Sequence, residues 1–241
     1  MPLIEIADRS DFTERMKHAL ELDIGRTAAV TIDMQREYLD PTVGQSTVLE
    51  EEADRVLGST KRFLDMCRSA GMPVIHAYVV RRPEEASRGF HSGGIAYLTK
   101  AQEIGVSQIP HGRPRSRPDR VAGSPESEVP AHLVSPDDLH VTSKKGLDSF
   151  ALTDLHFLLS RILEVDTLLL SGINTDTCVY STAFTAANLG YRPVVIADCV
   201  ASMRGIDSHR MALELMSRSI AWVLSLEELS AALGASSDQI L

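Results

Sequence analysis

Leu168-Leu169-Leu170-Ser171-Gly172-Ile173-Asn174-Thr175-Asp176-Thr177-Cys178-Val179 decides the reading of the whole chain. An apolar run of strand character enters a tight Gly-Ile-Asn-Thr turn. The chain then leaves through Cys178 into residues 179–189, whose spacing predicts a helix ended by Gly190 at its C-cap. One cysteine is thereby set at a helix N-terminus, where unpaired N–H groups and the positive end of the dipole favour a thiolate. The alternative for such a lone cysteine is a small buried residue packed under a turn.

The same strand-then-helix pattern extends in both directions. Upstream, Thr27-Ala28-Ala29-Val30-Thr31-Ile32 is almost continuously apolar, like a strand covered on both faces, and it ends in Asp33. Residues 51–69 follow helical spacing, with Cys67 on the core side. Gly71-Met72-Pro73 breaks that helix, and 74–80 gives a second buried strand. A short strand is expected at 139–142. Thr153 is placed to cap a helix over 154–163, with Leu155, Leu158, Leu159 and Ile162 as its apolar stripe. Downstream come a strand at 193–197 ending in Asp198-Cys199, a helix around 209–218, a strand at 219–223 and a helix at 226–233. Six strands alternating with helices predict an α/β fold with a mostly parallel sheet and helices on both faces.

The 241 residues, 44% of them hydrophobic, are read as one domain, with residues 1–25 as an N-terminal arm and 81–136 as an irregular flank or lid. A net charge of −9 opposes a phosphate-backbone partner, so no nucleic acid is expected. No apolar run approaches the roughly 20 residues that span a bilayer, so no membrane is expected either. Three cysteines form no disulfide framework, and no signal peptide is evident, which points to the cytoplasm. A soluble enzyme or small-molecule binder remains.

Asp33 and Cys178 stand at the C-terminal ends of strands, the edge of an open parallel sheet where ligands bind. Lys144 and Lys145 follow the 139–142 strand in the same way. Either could stabilise charge there, or both could be solvated. His76, interior to a strand, reads as a hydrogen-bonded structural residue. Arg81, Arg82, Arg88, Arg113, Arg115, Arg117 and Arg120 crowd the irregular region, either as surface and subunit charges or as groups that hold a carboxylate.

Three blocks resemble the isochorismatase-like cysteine hydrolases. They are Thr31-Ile32-Asp33-Met34-Gln35; Lys144-Lys145-Gly146 with Ser149-Phe150 and Thr153-Asp154-Leu155; and Gly172–Val179 with Thr182-Ala183 and Gly190-Tyr191. The resemblance implies a Rossmann-like three-layer fold with a six-stranded, mostly parallel sheet, and a catalytic triad of Asp33 as acid/base, Lys144 as the lysine between, and Cys178 as nucleophile. Lys144 is preferred to Lys145 because the family lysine precedes the block's phenylalanine by six positions, and here that phenylalanine is Phe150. The resemblance also implies a cis peptide at 173–174, which turns the Asn174 N–H toward the Cys178 N–H as an oxyanion hole. Gln35 and Tyr38, shortly after Asp33, and Arg81 and Arg82, after the second strand, are the expected substrate-binding groups, with at least one arginine facing the pocket.

The implied reaction is hydrolysis of the C–N bond of a small amide, ureido or carbamoyl compound, with no cofactor, in a homo-oligomer (dimer or tetramer). Vinyl-ether hydrolases of the isochorismatase type lack the cysteine, and nicotinamidase-like members carry a histidine metal site after the first strand. Here no histidine occurs between Asp33 and His76, so no metal is expected. A non-catalytic ligand-binding member is opposed by the intact trio. A thiol redox protein is opposed by the lack of a Cys-x-x-Cys pair.

Overall fold

The computed structural model describes residues 6–88, 95–110, 112 and 115–237. Six strands, β1 (Thr27–Ile32), β2 (Val74–Ala77), β3 (Leu139–Val141), β4 (Thr167–Ile173), β5 (Arg192–Ala201) and β6 (Trp222–Leu224), form one sheet in the order β3-β2-β1-β4-β5-β6, every pairing parallel. The helices are α1 (Ser10–His18), α2 (Arg36–Leu39), α3 (Glu50–Ser69), α4 (Pro83–Ser87), α5 (Ala96–Glu103), α6 (Leu155–Phe157), α7 (Tyr180–Asn188), α8 (Ile206–Ser219) and α9 (Leu226–Ser237). The chain winds outward from β1 to β3, then crosses back to lay β4 against the other side of β1. The strand order therefore reverses between β1 and β4, and the carboxyl ends of those two strands open the crevice in which such sheets bind ligands.

Every residue of β1 and β4 is buried, which explains their continuous apolar runs: helices cover both faces. Alternation within the strands divides the core. Ala29 and Leu169 pack toward Val56, Phe63, Leu64 and Cys67 of α3, whereas Ala28, Val30, Leu168 and Leu170 pack toward Leu155, Val179, Ala183 and Met216 on the other side. At the end of β4 the strands approach so closely that a Cβ on Gly172 would lie 2.0 Å from the Ile32 carbonyl oxygen. With φ at +135° as well, only glycine fits.

Three local expectations are corrected. The helix after Thr153 widens into a π turn at Leu158–Ile162, and the added angle per turn swings Ile162 out of the stripe to 58% exposure. The fifth strand does not stop at Ala197. A register shift between Leu170 and Gly172 lets it run on to Ala201, so Cys199 lies within the strand. The irregular flank holds short helices of its own, α4 and α5. The N-terminal arm is fixed to the β6 edge, where the Trp222 indole donates to the Met16 carbonyl at 2.8 Å and Lys17 pairs with Glu228 at 2.8 Å.

His76 is structural. It sits opposite Thr31 in the β1–β2 register, with Nδ1 2.7 Å from the Thr31 hydroxyl and Nε2 3.1 Å from Asp138, whose carboxylate also accepts from Arg68. Burial drives its pKa down to about 4, against the pull of Asp138 toward the charged form. An unfolded histidine takes up its proton near 6.5, so the unfolded chain binds more protons between about pH 6.5 and 4, and folding stability falls as pH falls through that window. The expected loss is about 3 kcal/mol for a shift of this size. Urea melts at pH 7 and pH 4.5 check it: His76→Gln should lose much less stability over that interval than the wild type, and an unchanged loss would assign the acid sensitivity elsewhere.

Candidate active site

Asp33 leaves β1 with φ at +50°, a left-handed conformation uncommon outside glycine, and its N–H is held by the Ala77 carbonyl at 2.9 Å. This bend turns the side chain into the crevice, where it is fully buried. Lys144, beyond the end of β3, donates to Asp33 Oδ2 at 2.6 Å and to the Gly146 carbonyl at 2.8 Å, and is itself fully buried. Burial works against its charge, but the neighbouring Asp33 carboxylate outweighs that and its pKa is raised. Lys145 turns the other way, to the Val80 carbonyl and Glu85.

The turn after β4 contains the cis Ile173–Asn174 peptide bond. It leads into a π turn, Thr175–Val179, that feeds α7, and the Asn174 carbonyl accepts the N–H groups of Thr177 and Val179. The Asn174 side chain is pinned by the Met203 N–H at 2.8 Å, and among the described residues its own N–H meets no acceptor. Cys178 sits in the first turn of this helical segment, as expected, but not as a resting thiolate. Burial pushes its thiol up to about 11, Lys144 pulls it down and Asp33 pushes it up again. The helix terminus is overruled by desolvation, and a base is needed to take the proton. Asp33 Oδ1 is buried and accepts from no N–H or O–H group among the described residues, while the Asp33 carboxylate is a hydrogen-bond partner of the Cys178 thiol.

Asp33, Lys144, Asn174 and Cys178 together line one narrow cavity of about 40 Å³. A larger groove of about 550 Å³ runs between α1 and the α8–β6 connection, and none of these four lines it. Of the expected substrate-binding groups, Tyr38 and Arg81 line the cavity of Cys178, joined by Arg115 and Arg120. Gln35 does not. It is buried to one side, its amide donating to the carbonyls of Val79 at 2.9 Å and Ser127 at 2.7 Å, so it ties loops together. Arg82 does not either: it is exposed at the start of α4, its N–H capped by Glu85. Arg88 is exposed, Arg117 reaches the Val43 carbonyl at the surface, and Arg113 lies outside the described residues.

Sequence reasoning passed over two groups here. Asp119 is fully buried and pairs with Arg81 at 3.0 Å, Arg115 at 2.7 Å and Arg120 at 2.7 Å. Its signal was a lone acid inside an arginine-dense loop. Arg204, just past β5 at the same sheet edge, pairs with Asp176 at 3.1 Å and reaches Gln108 at 2.6 Å, joining the residues after α5 to the turn that carries Cys178. The other cysteines stand apart: Cys67 and Cys199 are buried in the core on the opposite face of the sheet, and all three are free.

The isochorismatase domain matches residues 27–228, spanning β1 to the start of α9. The chain belongs to the isochorismatase family. A curated isochorismatase-family relative, YecD of Escherichia coli, is 30% identical over 216 residues, covering 89% of this chain and all of the relative. N-carbamoylsarcosine amidase of an Arthrobacter species is 24% identical over 170 residues, 70% of this chain and 57% of that enzyme. Among solved structures, a cysteine hydrolase from Pseudomonas syringae superposes with a TM-score of 0.71 at 21% identity, over 90% of this chain and 96% of the other. This isochorismatase-family chain is a hydrolase by family, and among its described residues no helix is long and apolar enough to cross a membrane.

Proposed function

We propose that this isochorismatase-family protein is a cysteine-dependent hydrolase that cleaves the C–N bond of a small amide, ureido or carbamoyl compound through a thioester. The carrying observation is the buried Asp33–Lys144 pair, 2.6 Å apart, on the wall of the same cavity as Cys178. As the Cys178 sulfur attacks the carbonyl carbon, Asp33 takes the thiol proton, and Lys144 keeps the carboxylate in place. The N–H groups of Asn174 and Cys178 hold the oxyanion, at about 3 kcal/mol per donor in comparable sites. Collapse of the tetrahedral adduct breaks the C–N bond, and the departing nitrogen takes the proton from Asp33. Water then adds to the thioester, giving its proton to Asp33, and the thiol is released as it is reprotonated.

A carbamoyl or ureido substrate is favoured by the likeness to N-carbamoylsarcosine amidase. Homo-oligomerisation and the reducing cytoplasm belong to the same proposal, and three buried free cysteines suit that compartment. Screening small amides, ureides and carbamoyl compounds for ammonia release, with Cys178→Ala as control, tests it. Ammonia release that persists unchanged in the control would refute the covalent route.

Catalysis is expected to need no metal. No histidine lies between Asp33 and His76, and among the described residues no three His, Cys, Asp or Glu side chains are grouped to hold an ion. Exhaustive chelation should leave turnover within about twofold, a change of only ~0.4 kcal/mol in the barrier. Loss of activity on chelation, restored by zinc, would contradict this.

A further inference from the structure

The charge balance around the cavity is uneven. Asp33 is matched by Lys144, Glu85 by Lys145 and Asp176 by Arg204. Beside them Arg81, Arg115 and Arg120 all converge on the single carboxylate of Asp119. Glu37, the other acid buried there, bonds to the Gln45 N–H and pairs with none of the three, and burial raises its pKa toward the neutral form. Arg115 and Arg120 thus share one carboxylate at this wall, and buried positive charge that is only partly offset is costly.

The donors are also incompletely used. Arg120 gives Nε and Nη2 to Asp119 and Nη1 to the Tyr38 hydroxyl at 2.6 Å, three of the five N–H bonds a guanidinium carries. The remaining two meet no partner among the described residues. Arg115 uses Nε on Ser46 and Nη1 on Asp119. Tyr38 accepts from Arg120, and its own O–H has no acceptor among the described residues. Arg120 is only 5% exposed and Tyr38 only 4%, yet both line the cavity of Cys178. Two arginines and a phenol with donors to spare match the paired oxygens of a carboxylate.

We propose that the substrate is an anion: a small amide, ureido or carbamoyl compound bearing a carboxylate, which Arg120 and Arg115, with the Tyr38 hydroxyl, hold while its reacting carbonyl lies at Cys178. This rests on the hydrolase reading of the site and names the substrate class for it. Asp119 then acts as the positioning residue that fixes the guanidinium planes.

Selective alkylation of Cys178 tests the seat without needing the natural substrate. Iodoacetate and iodoacetamide have nearly the same shape and reactive carbon but differ by one negative charge. Rates at Cys178 are followed by mass spectrometry on the intact chain, and the iodoacetate-to-iodoacetamide ratio is compared with that of free cysteine. The expected result is a ratio raised at least about tenfold in the wild type and reduced severalfold in both Arg120→Gln and Arg115→Gln. The Arg115 variant leaves Arg81 and Arg120 on Asp119, so it keeps the test open if Arg120→Gln does not fold. A wild-type ratio equal to that of free cysteine, or a raised ratio unchanged in a folded arginine variant, overturns the carboxylate seat. Either outcome is independent of turnover, whereas activity surviving in Cys178→Ala overturns the hydrolase mechanism and leaves the charge preference standing.

Discussion

Cys178→Ala should fold like the wild type and lose at least about a thousandfold in kcat/KM, roughly 4 kcal/mol of transition-state stabilisation. In the mechanism proposed above Cys178 forms the covalent intermediate, and no other cysteine can replace it, because Cys67 and Cys199 lie in the core on the other face of the sheet. Cys178→Ser should be nearly as inactive: a buried hydroxyl has a higher pKa than a thiol and gives up its proton less readily to the same carboxylate. Cys67→Ala and Cys199→Ala should retain turnover while losing some stability to the small cavity each leaves. Circular dichroism and thermal melts establish folding, and ammonia release from an active amide establishes turnover. Wild-type-like kinetics in Cys178→Ala would end the thioester mechanism.

Lys144→Met should cost both stability and activity. The side chain is fully buried and bonded to Asp33 at 2.6 Å, so its removal leaves a carboxylate in the interior without its counter-charge. Breaking one partner of such a pair typically costs about 3–5 kcal/mol, far more than the intact pair contributes over an apolar replacement. Because the Lys144 pKa is raised in the fold, the contribution of the pair is complete below the ordinary lysine value of 10.5 and is lost only as pH climbs through the raised one. Urea melts at pH 7 therefore sample the full effect. Combining Asp33→Asn with Lys144→Met should recover much of the stability and none of the activity, since the base is gone as well. A Lys144→Met protein as stable as the wild type would mean that the pair is not held as described.

The predicted α/β architecture was legible because each strand and helix is a local pattern. A strand buried on both faces must be apolar throughout, and a surface helix must carry its apolar side chains at helical spacing. The trio Asp33, Lys144 and Cys178 could be brought together from sequence because each lies within five residues of the carboxyl end of a strand, and a parallel sheet brings all such ends to one edge. The residues alone left Lys144 and Lys145 open and the family resemblance pointed to Lys144; the geometry pairs Lys144 with Asp33 and Lys145 with Glu85.

What only the tertiary structure decided depends on contacts between distant parts of the chain. The protonation of Cys178 is set by burial under neighbours from several strands, so a rule about helix termini gave the opposite sign. Gln35 and Tyr38 lie three positions apart, yet one ties two loops and the other lines the cavity. Arg82 follows Arg81 directly and points to solvent, whereas Arg120, 82 positions beyond Tyr38, closes on its hydroxyl. In the irregular region no repeat of 2 or 3.6 residues fixes where a side chain points. There the direction of Arg81, Arg115 and Arg120 is chosen by the buried carboxylate of Asp119, a partner that only the folded chain brings within reach.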